Sequence, residues 1–245
     1  ITDIAKAVGV SVATVSYAMS DSGRLSKETR KRILDVAEEM GYIRDGNASR
    51  LRTGHSALIG VILNTVKNPF FSELVASLEM AAYDGGYLTL LATAQNDPVR
   101  QKKLLHSMIS QGVGAMIISP VHGTSNDLLA ATARRKIPTV VCVRDLPNQE
   151  RVFVGADEMK SGYLAASHLI KNGHRSMTFL GGYGSTSTWT GRKDGILRAL
   201  GEAGLPSENC QIRAGTLLAD FAYETMRWGL LGVSCAAHDC RLCPK

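Results

Sequence analysis

Apolar residues in the first twenty positions recur at helical spacing. Ile4, Ala5 and Val8 form one stripe; Val10, Val15, Ala18 and Met19 form a second after a break at Gly9. Gly9 can take the positive φ that ends a helix sharply. Ser11 is a natural N-cap, whose hydroxyl accepts from a backbone N–H of the next turn. The second stripe then packs back on the first helix and leaves Val12, Ala13, Ser16 and Tyr17 outside. This is the pattern of a helix-turn-helix DNA reader. An ordinary helical hairpin shows it too, and the stretch alone leaves both readings open. Residues 21–23 read as a turn. Ser26 caps a third helix running to Met40, with Ile33, Val36, Ala37 and Met40 on one face and Gly41 as its stop. Tyr42 and Ile43 are expected to close a small core with Ile4, Val15 and Leu34. Lys27, Arg30, Lys31 and Arg32 cluster near the start of that helix, either as a solvated face or as phosphate contacts.

From residue 57 the period alternates between two and 3.6. Strands are expected at Ala57–Leu63, Tyr87–Ala92, Ala115–Ser119, Pro138–Val143, Val152–Gly155, Met177–Leu180 and Asn209–Arg213. Helices are expected at Phe71–Gly85, Asp97–Gln111, Asp127–Arg135, Met159–Lys171 and Lys193–Ala203, and from about Leu218. Near-continuous apolar strands joined by helical crossovers predict a parallel sheet covered on both faces. The break near Val143–Phe153 reads as a passage into a second lobe. Residues 44–56, between the two patterns, form a polar linker in which Leu51 is the odd apolar residue.

Composition changes this picture little. Apolar content of 44% supports a core, and the net charge of +6 is mild for a nucleic-acid binder. Residues 1–56 hold nine Lys/Arg against seven Asp/Glu, so placement rather than bulk charge must decide. No apolar run approaches a membrane span. Cys142 reads as a buried thiol in an apolar run, and a cytoplasmic, reducing setting fits the cysteine usage.

Taken together, the Thr-Asp-Ile-Ala-Lys-Ala-Val-Gly-Val-Ser opening, Thr14-Val15-Ser16, Gly41-Tyr42, Asn47-Ala48 and Arg50-Leu51-Arg52 resemble the LacI/GalR family of bacterial transcription regulators. Ile59-Gly60-Val61, Asn68-Pro69-Phe70-Phe71, Asp157, Gly173-His174-Arg175, Gly181-Gly182 and Gly191-Arg192-Lys193-Asp194-Gly195 extend the match through about residue 227. The resemblance implies an all-α helix-turn-helix domain (1–43), a hinge (44–56) and an incomplete two-lobed α/β sensing domain of periplasmic-binding-protein type (57–227). It implies a homodimer on a palindromic operator, with a sugar- or purine-type effector in the interlobe cleft. DNA contacts are then expected from Ser11, Val12, Ala13, Thr14, Ser16 and Tyr17, from Arg24, Ser26 and Thr29, and from the hinge residues Asn47, Ala48 and Leu51. Leu51 matches the leucine that wedges into the minor groove and kinks the duplex. Gly46 departs from the pattern and raises the cost of ordering the hinge. Effector contacts are expected from Phe70, Asp157, Thr188 and Arg192, whose fork suits bidentate grip. Arg144 and Asp145, just past a strand end, are further cleft-facing candidates.

The chemistry of an enzyme is missing. Gly181–Thr186 lacks the Gly-Lys-Ser/Thr ending of a phosphate loop, and no nucleophile has a positioned base. No metal or cofactor is expected: the C-x4-C-x2-C spacing of Cys235, Cys240 and Cys243, with His238, fits no defensible zinc site. After about Met226 the family pattern stops, and residues 228–245 read as an aberrant tail, the product of a truncation or frameshift. A chain ending there is expected to expose apolar edges and to fold poorly. Two other readings follow, a non-functional fragment of such a regulator and a small-molecule binding protein without DNA activity.

Overall fold

The computed structural model describes residues 1–20, 25–43, 56–125, 127–146, 152–216 and 219–230. The chain forms two compact units, Ile1–Ser56 and Ala57–Lys245. Arg24, Asn47, Ala48 and Leu51 lie outside the described residues, as do the turn at 21–23, Gly46, and the tail from 231 with its Cys235, His238, Cys240 and Cys243.

Unit one holds α1 (Thr2–Val8), α2 (Val12–Met19) and α3 (Lys27–Glu39). Gly9 closes α1 at φ 74°, and its N–H bonds Ala5 O. Ser11 and Ser26 cap the next two helices identically: each Oγ accepts from the backbone N–H three residues on, Thr14 and Thr29 respectively, at 3.1 Å. Each hydroxyl also pairs with that threonine's Oγ1 at 2.8 Å. Ile4, Ala5, Val8, Val15, Ala18, Ile33 and Ala37 make the core, with Val10, Met19, Val36 and Tyr42 packed on it. Three expected core members are outside it. Ile43 is 89% exposed, and Leu34 and Met40 are about half exposed. Ile33 and Ala37 already fill the inward face of α3, and Leu34 projects from its flank. Met40 is the C-cap, where the chain turns away, and Ile43 follows that turn.

Unit two opens with β1 (Leu58–Leu63), α4 (Pro69–Asp84), β2 (Leu88–Thr93), α5 (Pro98–Ser110) and β3 (Ala115–Ile118). It continues with α6 (Ala130–Arg134), β4 (Thr139–Cys142) and β5 (Val152–Val154). These strands form one parallel sheet in the order β2-β1-β3-β4-β5. Val61, Ile62 and Leu63 are buried because β1 is central and covered on both faces. The chain reverses direction across the sheet at β1 and β3, and ligand crevices form at such switch points, beyond the carboxyl ends of the strands. The second lobe holds α7 (Glu158–Lys171), β6 (Met177–Leu180), α8 (Ser187–Glu202), β7 (Cys210–Arg213) and α9 (Ala219–Leu230), with β6 and β7 parallel.

Two expectations need correcting here. The passage between lobes follows β5 rather than preceding it, since Val152 pairs with Val140 in the first sheet. Helix α8 starts at Ser187, six residues earlier than its apolar stripe suggests. A Ser/Thr-rich run reads as loop by propensity, yet hydroxyl residues suit a helix start. Helices α7 and α8 cross very closely. A Cβ at Gly162 or Gly195 would fall inside van der Waals contact of the backbone carbonyl of Arg192 or Met159.

Candidate functional site

In unit one the outer face of α2 is free. Val12 and Tyr17 are 47% and 48% exposed, Ala13 is exposed and Ser16 half-buried, while Val15 and Ala18 on the other side are sealed in the core. Thr14 and Thr29 are held by their caps. Lys27 and Lys31 are exposed at the start of α3. Arg32, expected with them, instead turns back and donates from Nη2 to Val8 O at the end of α1. It braces the turn between the first two helices.

In unit two a cavity of about 410 Å³ lies between the lobes. One wall is the loop after β3 (Pro120–Thr124) with Arg144, Asp145 and Leu146 beyond β4; the other is Ser185, Thr186, Ser187 and Thr190 at the start of α8. The first wall is built from inside the fold. Gln101, fully buried on α5, donates from Nε2 to Ser119 O at 3.0 Å, and its Oε1 accepts from Thr124 Oγ1 at 2.7 Å. Arg144 is aimed by a tight turn. Val143 has φ 65°, a left-handed conformation rare for a β-branched residue, and Arg144 N–H closes back on Cys142 O at 2.7 Å. Such strain costs about 1–3 kcal/mol and persists only where surroundings impose it. Burial pulls the Arg144 pKa down from its ordinary value. Nearby, Asn64 Oδ1 and Ser119 Oγ, at the ends of β1 and β3, are buried polar atoms without a hydrogen-bond partner.

Contacts join the two walls. Asp145 N–H donates to Ser187 Oγ at 2.7 Å. His122 stacks on Tyr183 and is hydrogen-bonded to Ser185.

The predicted effector residues are placed unevenly. Arg144 and Asp145 line the cavity. Thr188 is in the first turn of α8, half-buried, its hydroxyl 3.3 Å from that of Thr186. Arg192, one turn on, is held by Glu158 through Nε–Oε2 at 2.6 Å and Nη2–Oε1 at 3.2 Å. Asp157 caps α7, accepting from Lys160 N–H at 2.9 Å. Phe70 is 57% exposed beyond β1, edge-on to the buried Phe71.

Comparison with known proteins follows this division. Residues 1–45 match the family described as bacterial regulatory proteins, lacI family. Residues 56–224 match the periplasmic binding proteins and sugar binding domain of the LacI family. The chain belongs to the LacI family. It is 35% identical over 204 residues to the maltose regulon regulatory protein MalI of Escherichia coli K12, covering 83% of this chain and 60% of MalI. It is 33% identical over 213 residues to the HTH-type transcriptional regulator DegA of Bacillus subtilis, covering 86% of this chain and 63% of DegA. The chain thus spans less than two thirds of these relatives. In fold it is similar to the lac repressor dimer bound to operator and an anti-inducer, at a TM-score of 0.80 and 23% identity over 94% of this chain and 70% of that one.

For a LacI-family chain, sequence reasoning reached the strand-end pair Arg144 and Asp145 but missed His122, Tyr183 and the hydroxyls at 185–187 and 190. The available signal was the Gly181-Gly182 pair before a Ser/Thr run. Both glycines take positive φ and turn the chain from β6 into α8 at the cavity wall.

Proposed function

We propose that this LacI-family chain is a ligand-responsive, DNA-binding transcription regulator acting in the cytoplasm, a repressor in the ordinary case and not an enzyme. The exposed outer face of α2, backed by a sealed core, carries the reading. Val12, Ala13 and Tyr17 are the base-reading positions; with no Arg, Asn or Gln among them, thymine methyl groups and the Tyr17 hydroxyl supply direct readout. Ser11, Thr14, Ser16, Arg24, Ser26 and Thr29 position the reader on the phosphates. In a homodimer two such helices enter successive major grooves of a near-palindromic operator. Asn47, Ala48 and Leu51 form the hinge, and Leu51 wedges the minor groove between them. Much of the sequence preference then comes from half-site spacing and from the ease of kinking the central step.

A sugar- or purine-class effector in the interlobe cleft changes hinge ordering, a coupling of about 1–3 kcal/mol. Phe70, Asp157, Thr188 and Arg192 flank that ligand together with the cavity walls, and Arg192 reaches it by exchanging Glu158 for the ligand. MalI and the other regulators above support the assignment by likeness. The test is gel-shift binding of the purified chain to its own promoter DNA. Tyr17→Ala and Leu51→Ala should each weaken binding at least tenfold while the circular dichroism spectrum is unchanged. Equal binding by wild type and both variants would refute the reading.

A further inference from the structure

The cleft holds a buried arginine that no carboxylate among the described residues pairs with. Arg144 is 5% exposed and lines the cavity. Among the described residues its hydrogen bonds run from Nη1, to Asn96 Oδ1 at 3.4 Å and Pro120 O at 3.3 Å, both neutral and long for a guanidinium. Among the described residues no carboxylate is within ion-pairing distance of it; the described ion pairs are Lys102–Asp127, Arg192–Glu158, Lys193–Asp194 and Arg198–Glu202. A buried cation without a counter-charge is costly, and the strained turn at Val143 holds it there nonetheless.

The facing wall is positive as well. It is the first turn of α8, a sixteen-residue helix whose N-cap side chain makes no cap bond. Thr186 Oγ1 donates instead to Tyr183 O at 2.8 Å. Uncapped backbone N–H groups at the start of a long helix favour an anion. Ser185, Ser187 and Thr190 add hydroxyls on the same wall. Asp145 is the one acid among the described lining residues. Its Oδ1 accepts from Leu146 N–H at 3.0 Å.

We infer that the cleft takes a hydroxylated ligand with a terminal oxyanion, a phosphate monoester or a carboxylate, held between Arg144 and the start of α8. This rests on the effector-cleft reading above and narrows it to one chemical class. A neutral sugar or a nucleobase would leave Arg144 buried without a counter-charge. A charged sugar completes it.

The test is isothermal titration calorimetry of the full chain with glucose 6-phosphate, glucuronate, glucose, hypoxanthine and inorganic phosphate. At least one of the two charged sugars should bind tenfold or more tighter than glucose, as expected for a charge-assisted hydrogen-bond pair. Which of the two binds tells phosphate from carboxylate. Arg144→Gln should reduce that binding to the level of glucose, and Arg144→Lys should retain part of it. If Arg144→Gln does not fold, the same ranking is read from Thr190→Val, which keeps the wall's shape and removes a hydroxyl; a severalfold loss for the charged sugar is expected. Glucose or hypoxanthine binding as tightly as the charged sugars would overturn the oxyanion inference and leave the effector cleft standing. No heat from any of the five would overturn both.

Discussion

The imidazole of His122 lies flat on the ring of Tyr183, centroids 4.9 Å apart and planes 12° from parallel, and so couples the first lobe to the second. Ser185 Oγ reinforces the contact at 2.9 Å from His122 Nδ1. His122 rides on the loop that Gln101 anchors from the core, whereas Tyr183 and Ser185 sit just before α8. The two lobes therefore meet at the cavity through side chains on short, well-braced loops. Such a contact is worth about 0.5–1.5 kcal/mol for the stack and about 1 kcal/mol for the hydrogen bond. That is enough to bias closure and too little to lock it.

It follows that His122→Ala should loosen the second lobe without unfolding either one. Hydrogen exchange of the amides at 181–190 should speed up severalfold, with little change at the core of β1. His122→Phe, which keeps a ring to stack and loses the hydrogen bond, should fall between. Unchanged exchange at 181–190 in His122→Ala would show that the stack is incidental.

Two glycines of α8 should respond to alanine with opposite sign. Ala in place of Gly gains up to about 1 kcal/mol of helix propensity. At Gly201 nothing lies within 4 Å of the added methyl, so the gain is realised and urea stability rises. At Gly195 the methyl meets the Met159 carbonyl of α7, a backbone atom that cannot step aside. Overpacking of about 1–3 kcal/mol then outweighs propensity, and Gly195→Ala lowers stability. Equal effects of the two substitutions would contradict the close α7–α8 crossing.

Burial pushes the Cys142 thiol up to about 11 from an ordinary value of 9.0. Its folded pKa is raised, so the stability linked to this group is complete below about pH 9 and is lost as pH climbs from 9 toward 11. Wild type should lose stability relative to Cys142→Ala across that window, by an amount that grows with pH. In the native protein at pH 8 the thiol should resist Ellman's reagent, since both thiolate and access are wanting.

The matched caps of unit one give a further check. Ser11→Ala and Ser26→Ala each remove an acceptor for a helical N–H and should cost about 1 kcal/mol. In so small a core that is a large share of the stability, so the melt of this unit should move down by several degrees. Ser11→Asp, which restores the acceptor, should recover most of the loss by thermal circular dichroism.

Caps were legible in the sequence because a cap is local: Ser11 and Ser26 each declare a helix start within three residues. The parallel sheet was legible too, since a strand such as Ile59–Leu63 with no polar face must be covered twice. The meeting of His122 with Tyr183 was not, because it joins residues sixty-one positions apart across two lobes. Nor was the exposure of Leu34 and Ile43. An apolar residue near a core reads as a core member until packing shows the face already filled.

Arg192 is where local pattern and tertiary structure disagree most usefully. The resemblance gives it to the ligand, whereas the fold gives it to Glu158 in a two-point pair between α8 and α7. Both can hold in sequence if ligand displaces Glu158, and the half-exposed arginine is free to swing while the glutamate is mostly buried. The pair then opposes binding by roughly the worth of a partly exposed ion pair, about 0.5–1 kcal/mol. Glu158→Gln removes this competition and should tighten glucose 6-phosphate binding by about two- to fivefold. Arg192→Lys, which loses the fork, should weaken it. A purely structural pair predicts something else for Glu158→Gln, namely lower thermal stability with affinity unchanged. Titration and melting of the same variant therefore decide between exchange and bracing.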